Sequence, residues 1–220
     1  MALQAVLFDM DGVIVDTEPL HRKAYFQVFS DLGMDVSEEL YTSFTGLSTF
    51  RTIETLKENF DIPLETQEVM RRKRAYFKTY FDTDPDFDLI PGVKDLIIRY
   101  YEAGITLVLA SSATMTSINM MFDRFDLHGY FKGKISGADL AESKPNPEIF
   151  LKAAEISGQP KEKCMVIEDA TNGILAAHRA GIFCSAYRSQ HSKQQDYSLA
   201  NLVVSDFREL EPEKINSYFN

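Results

Sequence analysis

The chain has 220 residues, 45% of them apolar, and its 23 basic and 33 acidic residues give a net charge of −10. This size suits one large domain or a core with a smaller insert, and the apolar content is that of a soluble globular protein. An acidic chain lacks the basic surface that nucleic acids require, and no apolar run approaches the ~18 residues of a membrane span.

The two cysteines, Cys164 and Cys184, lie in apolar runs, so we expect both to be buried and reduced. The first residues, 1–4, lack the basic leader of a targeting segment. We therefore expect a cytoplasmic protein with neither nucleic-acid nor membrane partners, and a monomer or a weak homodimer.

Short continuous apolar runs recur along the chain and predict strands that are buried on both faces. The first is Ala5–Phe8, and the others lie at 105–110, 134–136, 165–167, 182–184 and 202–204. Stretches with helical spacing lie between them, at 93–103, 114–125, 147–156 and 173–180. This alternation predicts an α/β fold with a Rossmann-like parallel sheet.

The segment 17–87 breaks the alternation because it contains no strand-like run. Leu20, Ala24, Val28 and Leu32 recur every four residues, as on one face of a helix, and similar patterns follow at 53–60 and 65–81. We therefore predict an α-helical cap domain at 17–87, inserted into a core formed by 1–16 and 88–220. An insert that follows the first strand is expected at the ligand-binding edge of the sheet, as a lid.

Two carboxylates stand where the first predicted strand ends, in Asp9-Met10-Asp11-Gly12-Val13. In an extended chain, residues two apart point to the same side. Gly12 allows a sharp turn and the close approach of a ligand. One carboxylate could hold a metal or attack an electrophile while the other transfers a proton, which suggests phosphoryl chemistry.

Further polar groups follow other predicted strands or lie in nearby loops: Ser111, Ser112, Lys144, Glu168 and Asp169. Parallel strands end at one edge of a sheet, so we expect these groups to converge with the first pair. Each also has a simpler interpretation. Ser111 could cap the helix that begins near residue 114, Glu168 and Asp169 could cap the next one, and Lys144 could lie in an ordinary loop.

Taken together, these motifs resemble the four motifs of the haloacid dehalogenase-like superfamily. They are Asp9–Val13, Ser111, Lys144-Pro145 and Glu168-Asp169, and the resemblance covers the whole chain. The stretch 16–21, Asp-Thr-Glu-Pro-Leu-His, resembles the branch with a small helical cap. That branch contains β-phosphoglucomutase and small-sugar phosphatases.

The resemblance implies a role for each acidic residue. Asp9 would be the nucleophile that forms an aspartyl-phosphate, and Asp11 the general acid–base. Mg²⁺ would be held by the Asp9 side chain, the Asp11 backbone carbonyl and Asp169, with Glu168 beside it. Such an all-oxygen ligand set suits this hard cation.

The resemblance also implies roles for residues that bind or support the substrate. Ser111, Ser112 and Lys144 would bind the phosphoryl oxygens, which needs positive charge beside the carboxylates. A residue at the position of Thr17 would help to place the acid–base group. His21 matches a hinge-side residue, although it could equally be a polar residue on the first cap helix.

The acceptor of the phosphoryl group separates two functions within the branch, since water gives a phosphatase and a sugar phosphate gives a mutase. The branch's mutases hold a second phosphate with a Lys and an Arg that flank a Gly-x-Ser segment. The matching stretch here is Thr45-Gly46-Leu47-Ser48-Thr49, with Thr at both cationic positions. Arg51 lies two residues beyond the usual cationic position and could substitute if the helix start were shifted, and Lys73 matches a cap lysine.

We therefore predict a Mg²⁺-dependent phosphatase of a small phosphorylated metabolite, with a sugar phosphate as the favoured substrate. Gly46, Arg51 and Lys73 are the candidate substrate residues of the cap. The main alternative is a β-phosphoglucomutase that interconverts β-glucose 1-phosphate and glucose 6-phosphate. A non-catalytic binding module and a haloacid dehalogenase are less favoured, because Asp9, Asp11 and the 168–169 pair are all present.

Overall fold

The chain forms two compact units in the computed structural model, which describes residues 2–44, 47–60, 62–189 and 195–219. Met1–Asp16 and Leu89–Asn220 make up the first, here called the core unit, and Thr17–Asp88 makes up the second, the helical unit. The cap was predicted one residue shorter, at 17–87.

The core unit contains a parallel sheet of six strands among the described residues. They are β1 (Ala5–Phe8), β2 (Thr106–Ser111), β3 (Phe131–Ser136), β4 (Cys164–Glu168), β5 (Phe183–Tyr187) and β6 (Leu202–Val204). Their order is β3-β2-β1-β4-β5-β6, and Phe8 in β1 pairs with Leu109 of β2 and Ile167 of β4. The predicted α/β fold is confirmed, and the carboxyl ends of β2, β1 and β4 lie side by side.

Both units contain α-helices. The helical unit contains α1 (Glu18–Asp31), α2 (Glu38–Ser43), α3 (Thr49–Asn59) and α4 (Thr66–Thr83). The core unit adds α5 (Val93–Glu102), α6 (Met115–Phe125), α7 (Glu148–Ser157), α8 (Thr171–Ala180) and α9 (Pro212–Asn216). Gly158 and Gly181 follow α7 and α8 in the left-handed conformation, so both act as C-terminal caps of these helices.

Burial on both faces of the sheet explains the continuous apolar runs. All four residues of β1 are fully buried. Leu7 and Val166 pack in one cluster with Phe150 of α7 and Ile174 of α8, so the helices cover this face of the sheet. The central strand is therefore held rigidly up to the residue where it ends.

Apolar side chains form a second core inside the helical unit. The predicted face of α1 is buried at Leu20, Ala24 and Val28. Val28 packs in one cluster with Ile53 of α3 and Val69 of α4. α2 was not predicted, because its six residues contain only one buried side chain and give no helical period.

Some element boundaries differ from the predicted ones for identifiable reasons. β3 begins at Phe131, three residues before the predicted start, because an edge strand with exposed and half-exposed lysines gives no apolar run. α8 begins at Thr171 rather than at Gly173, so this glycine lies inside the first turn of the helix.

Both cysteines are buried free thiols, as the sequence predicts. None of the helices in the described ranges has the length and apolar content needed to cross a bilayer.

Tyr100 on α5 joins this helix to the C-terminal segment. Its buried hydroxyl donates a 2.6 Å hydrogen bond to the Leu210 carbonyl. We expect Tyr100→Phe to lower the free energy of unfolding by about 1–2 kcal/mol, because a buried carbonyl loses this donor. Urea unfolding measures the change. Tyr101→Phe is the matched control, since this neighbour is 52% exposed, and an equal loss in both variants would contradict the prediction.

Candidate active site

The Lys144 ammonium joins the ends of three neighbouring strands. Its Nζ donates to Asp9 Oδ1 at 2.5 Å, to Glu168 Oε1 at 2.8 Å and to the Ala110 carbonyl at 3.0 Å. Asp9 follows β1, Ala110 belongs to β2, and Glu168 ends β4. The lysine side chain is only 6% exposed, and the two carboxylates are buried with it. One buried cation therefore holds together side chains that are far apart in sequence.

Burial and the charges of this cluster shift the pKa values of Asp9 and Lys144. Burial raises the pKa of Asp9 well above its usual range, Lys144 opposes this, and the nearby Glu168 and Asp169 reinforce it. Burial alone would lower the pKa of Lys144, but Asp9 and Glu168 outweigh it and raise that pKa. The ammonium thus stays charged, while Asp9 lacks enough positive charge around it to ionise as readily as a free aspartate.

The acidic side chains of the cluster fit a metal ion. Asp9, Glu168 and Asp169 are buried, and each offers a carboxylate oxygen within 4.8 Å of the others. Oxygen ligands of this kind suit Mg²⁺, and a divalent cation would supply the missing charge. The Asp11 side chain is not part of this group, and the role predicted for Asp11 in metal binding used its backbone carbonyl instead.

Two glycines leave the space that these carboxylates occupy. A Cβ on Gly12, whose φ is +83°, would lie 2.0 Å from Asp169 Oδ2. A Cβ on Gly173 would lie 1.7 Å from Glu168 Oε1. Both distances are far inside van der Waals contact, so a side chain at either position would displace an acidic group of the site.

Glu168 is engaged at both carboxylate oxygens. Lys144 bonds Oε1, while Oε2 accepts from the backbone N–H groups of Asp169 at 2.7 Å and Ala170 at 2.8 Å. The residue that precedes α8, Ala170, has no capping side chain of its own. Glu168 therefore bonds the backbone at the start of α8, as a helix cap would, and it also contacts the buried lysine of the polar cluster.

A tight turn follows β1 and carries Asp11. The Met10 carbonyl accepts from the N–H groups of Ile14 at 2.8 Å and Val15 at 3.1 Å. Asp9 is buried, while Asp11 is partly exposed. The turn therefore gives the two aspartates different surroundings, which is what distinct chemical roles require.

The two serines at the end of β2 differ in exposure. Ser111 is buried, and its Oγ accepts from the Ala113 N–H at 3.1 Å, while Ser112 is exposed. The helix cap of α6 is Thr114, whose hydroxyl accepts from the Ser117 N–H at 3.3 Å. Ser111 is therefore not the cap of this helix, and it lies beside Ala110, which bonds Lys144.

The half-buried His21 pairs with the buried Lys73 inside the helical unit. Lys73 Nζ lies 2.7 Å from His21 Nδ1, and the imidazole stacks on Phe77 with 4.4 Å between ring centroids. Burial and the lysine charge lower the pKa of His21 to about 3, so the imidazole is neutral and accepts the hydrogen bond. Burial lowers the pKa of Lys73 to about 8, against the opposing effect of Glu18.

A cavity of about 140 Å³ lies beside this pair, within the helical unit. Its polar lining comprises Glu18, His21, Tyr25, Tyr41, Thr49, Thr52 and Lys73. The hydroxyl of Tyr41 donates to Glu18 Oε1 at 2.8 Å. Sequence reasoning missed Tyr41 because it lies on the unpredicted α2, whereas Glu18 lies inside the quoted motif.

Two other predicted residues of the helical unit, Arg51 and Thr17, do not line this cavity. Arg51 is an exposed residue of α3, and this helix begins at Thr49. Thr17 is buried just before α1 and makes no capping bond with its side chain. Thr45 and Gly46 lie outside the described residues.

Comparison with known proteins identifies a matching family and a similar phosphatase. Residues 6–187 match the family model described as haloacid dehalogenase-like hydrolase. The chain is 32% identical to the phosphorylated carbohydrates phosphatase of Thermotoga maritima, over 82% of each chain.

Two solved structures resemble the fold. The crystal structure of CbbY from Rhodobacter sphaeroides in complex with phosphate has a TM-score of 0.78 at 28% identity, and the match covers 94% of this chain and 96% of that one. β-Phosphoglucomutase from Clostridium difficile has a TM-score of 0.74 at 27% identity, and the match covers 99% of this chain and 97% of that one.

Gly173→Ala tests the close approach of Glu168 to α8. We expect the free energy of unfolding to fall by about 2–4 kcal/mol, because the added methyl group forces Glu168 away from Lys144 and outweighs the higher helix propensity of alanine. Gly129→Ala is the control, since a Cβ there meets nothing within 4 Å. Equal stability of the two variants in urea unfolding would show that Glu168 relaxes freely.

Proposed function

The chain belongs to the haloacid dehalogenase-like hydrolase family, and we propose that it is a Mg²⁺-dependent phosphatase that hydrolyses a small sugar phosphate. The observation that carries this proposal is the buried cluster of Asp9, Lys144, Glu168 and Asp169. It combines a carboxylate on a rigid strand end with a fixed cation and oxygen ligands for a metal. Phosphoryl transfer depends mainly on such positioning and charge stabilisation.

We assign the nucleophile to Asp9 and the general acid–base to Asp11. The Asp9 carboxylate attacks phosphorus, and the bond to the leaving alcohol breaks as Asp11 gives that alcohol a proton. Water then attacks the aspartyl-phosphate and passes a proton to Asp11, which releases inorganic phosphate and restores Asp9. The partly exposed position of Asp11 supports this assignment, since it must exchange protons in both steps.

Mg²⁺ would be held by Asp9, Asp169 and the Asp11 carbonyl, with Glu168 beside them. When bound, it supplies positive charge for the phosphoryl oxygens and the crowded carboxylates. Lys144 holds Asp9 in place and adds a second positive charge. We assign the orientation of the phosphoryl group to Ser111 and Ser112.

The residues that line the cavity in the helical unit support water, rather than a sugar phosphate, as the acceptor of the phosphoryl group. Lys73 is the cation among its described lining residues, and it already bonds His21. Thr49 stands where the mutases of the branch carry a cationic residue, and Arg51 is not part of the lining. A second phosphate would need charge-assisted bonds that these residues do not supply.

A mutase is the second candidate function, and the likeness to β-phosphoglucomutase from Clostridium difficile favours it. In either case we infer that the helical unit binds the substrate's organic part, with His21 and Lys73 as contributors and with Thr17 supporting Asp11. The substrate roles of Gly46 and Arg51 stay predictions from the sequence. We also infer a cytoplasmic location, since two buried free thiols suit a reducing compartment.

Asp9→Asn tests the nucleophile. We expect kcat to fall at least ~10³-fold, because an amide cannot form the acyl phosphate. Phosphate release from p-nitrophenyl phosphate measures the loss, and circular dichroism confirms that the variant is folded. Asp95→Asn, which removes an exposed carboxylate of α5, is the control for the change of charge. Substantial turnover by folded Asp9→Asn would exclude the mechanism.

A product assay distinguishes the two acceptors. The protein is incubated with Mg²⁺, β-glucose 1-phosphate and a trace of glucose 1,6-bisphosphate, and both free phosphate and glucose 6-phosphate are measured. We expect free phosphate to accumulate, with little glucose 6-phosphate, because the helical unit lacks the cations that would hold a second phosphate. Glucose 6-phosphate without free phosphate would establish the mutase instead.

A further inference from the structure

The segment that contains Gln195 and Asp196 is anchored at the first residue of α8. Gln195 Oε1 accepts from the N–H and the hydroxyl of Thr171, at 2.8 and 2.9 Å. The Thr171 hydroxyl accepts in turn from the Asp196 N–H at 2.8 Å. Thr171 lies two residues after Asp169, so these bonds bring the segment to the acidic cluster.

Tyr197 continues this segment with a hydroxyl that has an unusual environment. Its ring packs against the core cluster between the sheet and α8, and the Arg188 guanidinium lies 5.5 Å from the ring centroid. The hydroxyl oxygen is buried and has no hydrogen-bond partner among the described residues. Leaving a buried hydroxyl without a partner costs about 1–3 kcal/mol, so such a group calls for a functional explanation.

The anchored segment brings this side chain within reach of the acidic cluster, because the preceding residue, Asp196, bonds Thr171, two positions after Asp169. A tyrosine hydroxyl carries a proton at neutral pH and is therefore available as a hydrogen-bond donor. The natural acceptor at this edge of the sheet is a carboxylate.

We propose that Tyr197 is a positioning residue of the metal site, whose hydroxyl donates a hydrogen bond to Asp169, directly or through one water, when that carboxylate holds Mg²⁺. The inference rests on the proposed function, because that function makes Asp169 a metal ligand. Carboxylates that bind metals are usually oriented by hydrogen bonds from outer groups. Gln195 and Thr171 hold the backbone that presents the tyrosine, so they support the same role.

Titration of the full chain with Mg²⁺ alone, by calorimetry, tests the proposal without any need for turnover. We expect Tyr197→Phe to weaken Mg²⁺ binding by about tenfold, the lower end of the effect of outer hydrogen-bond partners. Tyr218→Phe is the matched control, because this tyrosine is 53% exposed. The Tyr218→Phe variant should bind Mg²⁺ as tightly as the wild type. At limiting Mg²⁺ the activity of Tyr197→Phe should fall, and saturating Mg²⁺ should restore it.

The outcomes separate this inference from the proposed function. Equal Mg²⁺ affinity of Tyr197→Phe and the wild type, or no Mg²⁺ binding by the wild type, would overturn the inference. A thermal midpoint that falls without Mg²⁺ would also overturn it, by showing a structural role, since losing an unpartnered hydroxyl should leave stability unchanged or higher. Weaker binding by Tyr197→Phe in a wild-type protein that hydrolyses no sugar phosphate would support the inference and contradict the proposed function.

Discussion

The buried ion pairs of Lys144 with Asp9 and Glu168 are the constraint on which the core unit depends. Removing a charge from water costs several kcal/mol, so each of these groups is tolerated only because the others are present. The lysine reaches its partners because β1 and β4 are neighbours and end at the same edge of the sheet. The parallel sheet therefore creates the site, and the site explains why charged groups persist at the end of the most buried strand.

The same constraint explains the backbone around the cluster. The side chains of Asp169 and Glu168 lie against nearby backbone, and they fit there because Gly12 and Gly173 have no side chain. Glycine within the first turn of α8 lowers helix propensity. That loss is accepted because Glu168 then bonds both Lys144 and the N–H groups before α8. The first turn of α8 is therefore less stable than it would be with another residue in place of glycine, and the space gained is occupied by the Glu168 carboxylate.

The sequence predicts the core unit well because the relevant signals are local. An apolar run identifies β1, and the carboxylates directly after it identify the strand end. The parts that were missed depend on contacts between distant segments. Tyr41 lies on a six-residue helix with one buried side chain, and Gln195 meets Thr171 from 24 positions away. The sequence around Tyr41 or Gln195 contains no motif that would indicate a role. Their contacts are therefore visible only in the folded structure.

The helical unit offers a different chemistry from the core unit, and this difference bears on the acceptor. At neutral pH His21 is neutral and Lys73 keeps most of its charge, so the pair carries about one positive charge, already shared through their hydrogen bond. Glu18 lines the same cavity with a carboxylate, which would repel a second phosphate. Hydroxyl groups would instead find donors and acceptors of both kinds, from Glu18, Tyr41 and Thr52. The cavity is therefore better suited to a neutral, hydroxylated group than to a second phosphate, which supports the proposal that water is the acceptor of the phosphoryl group.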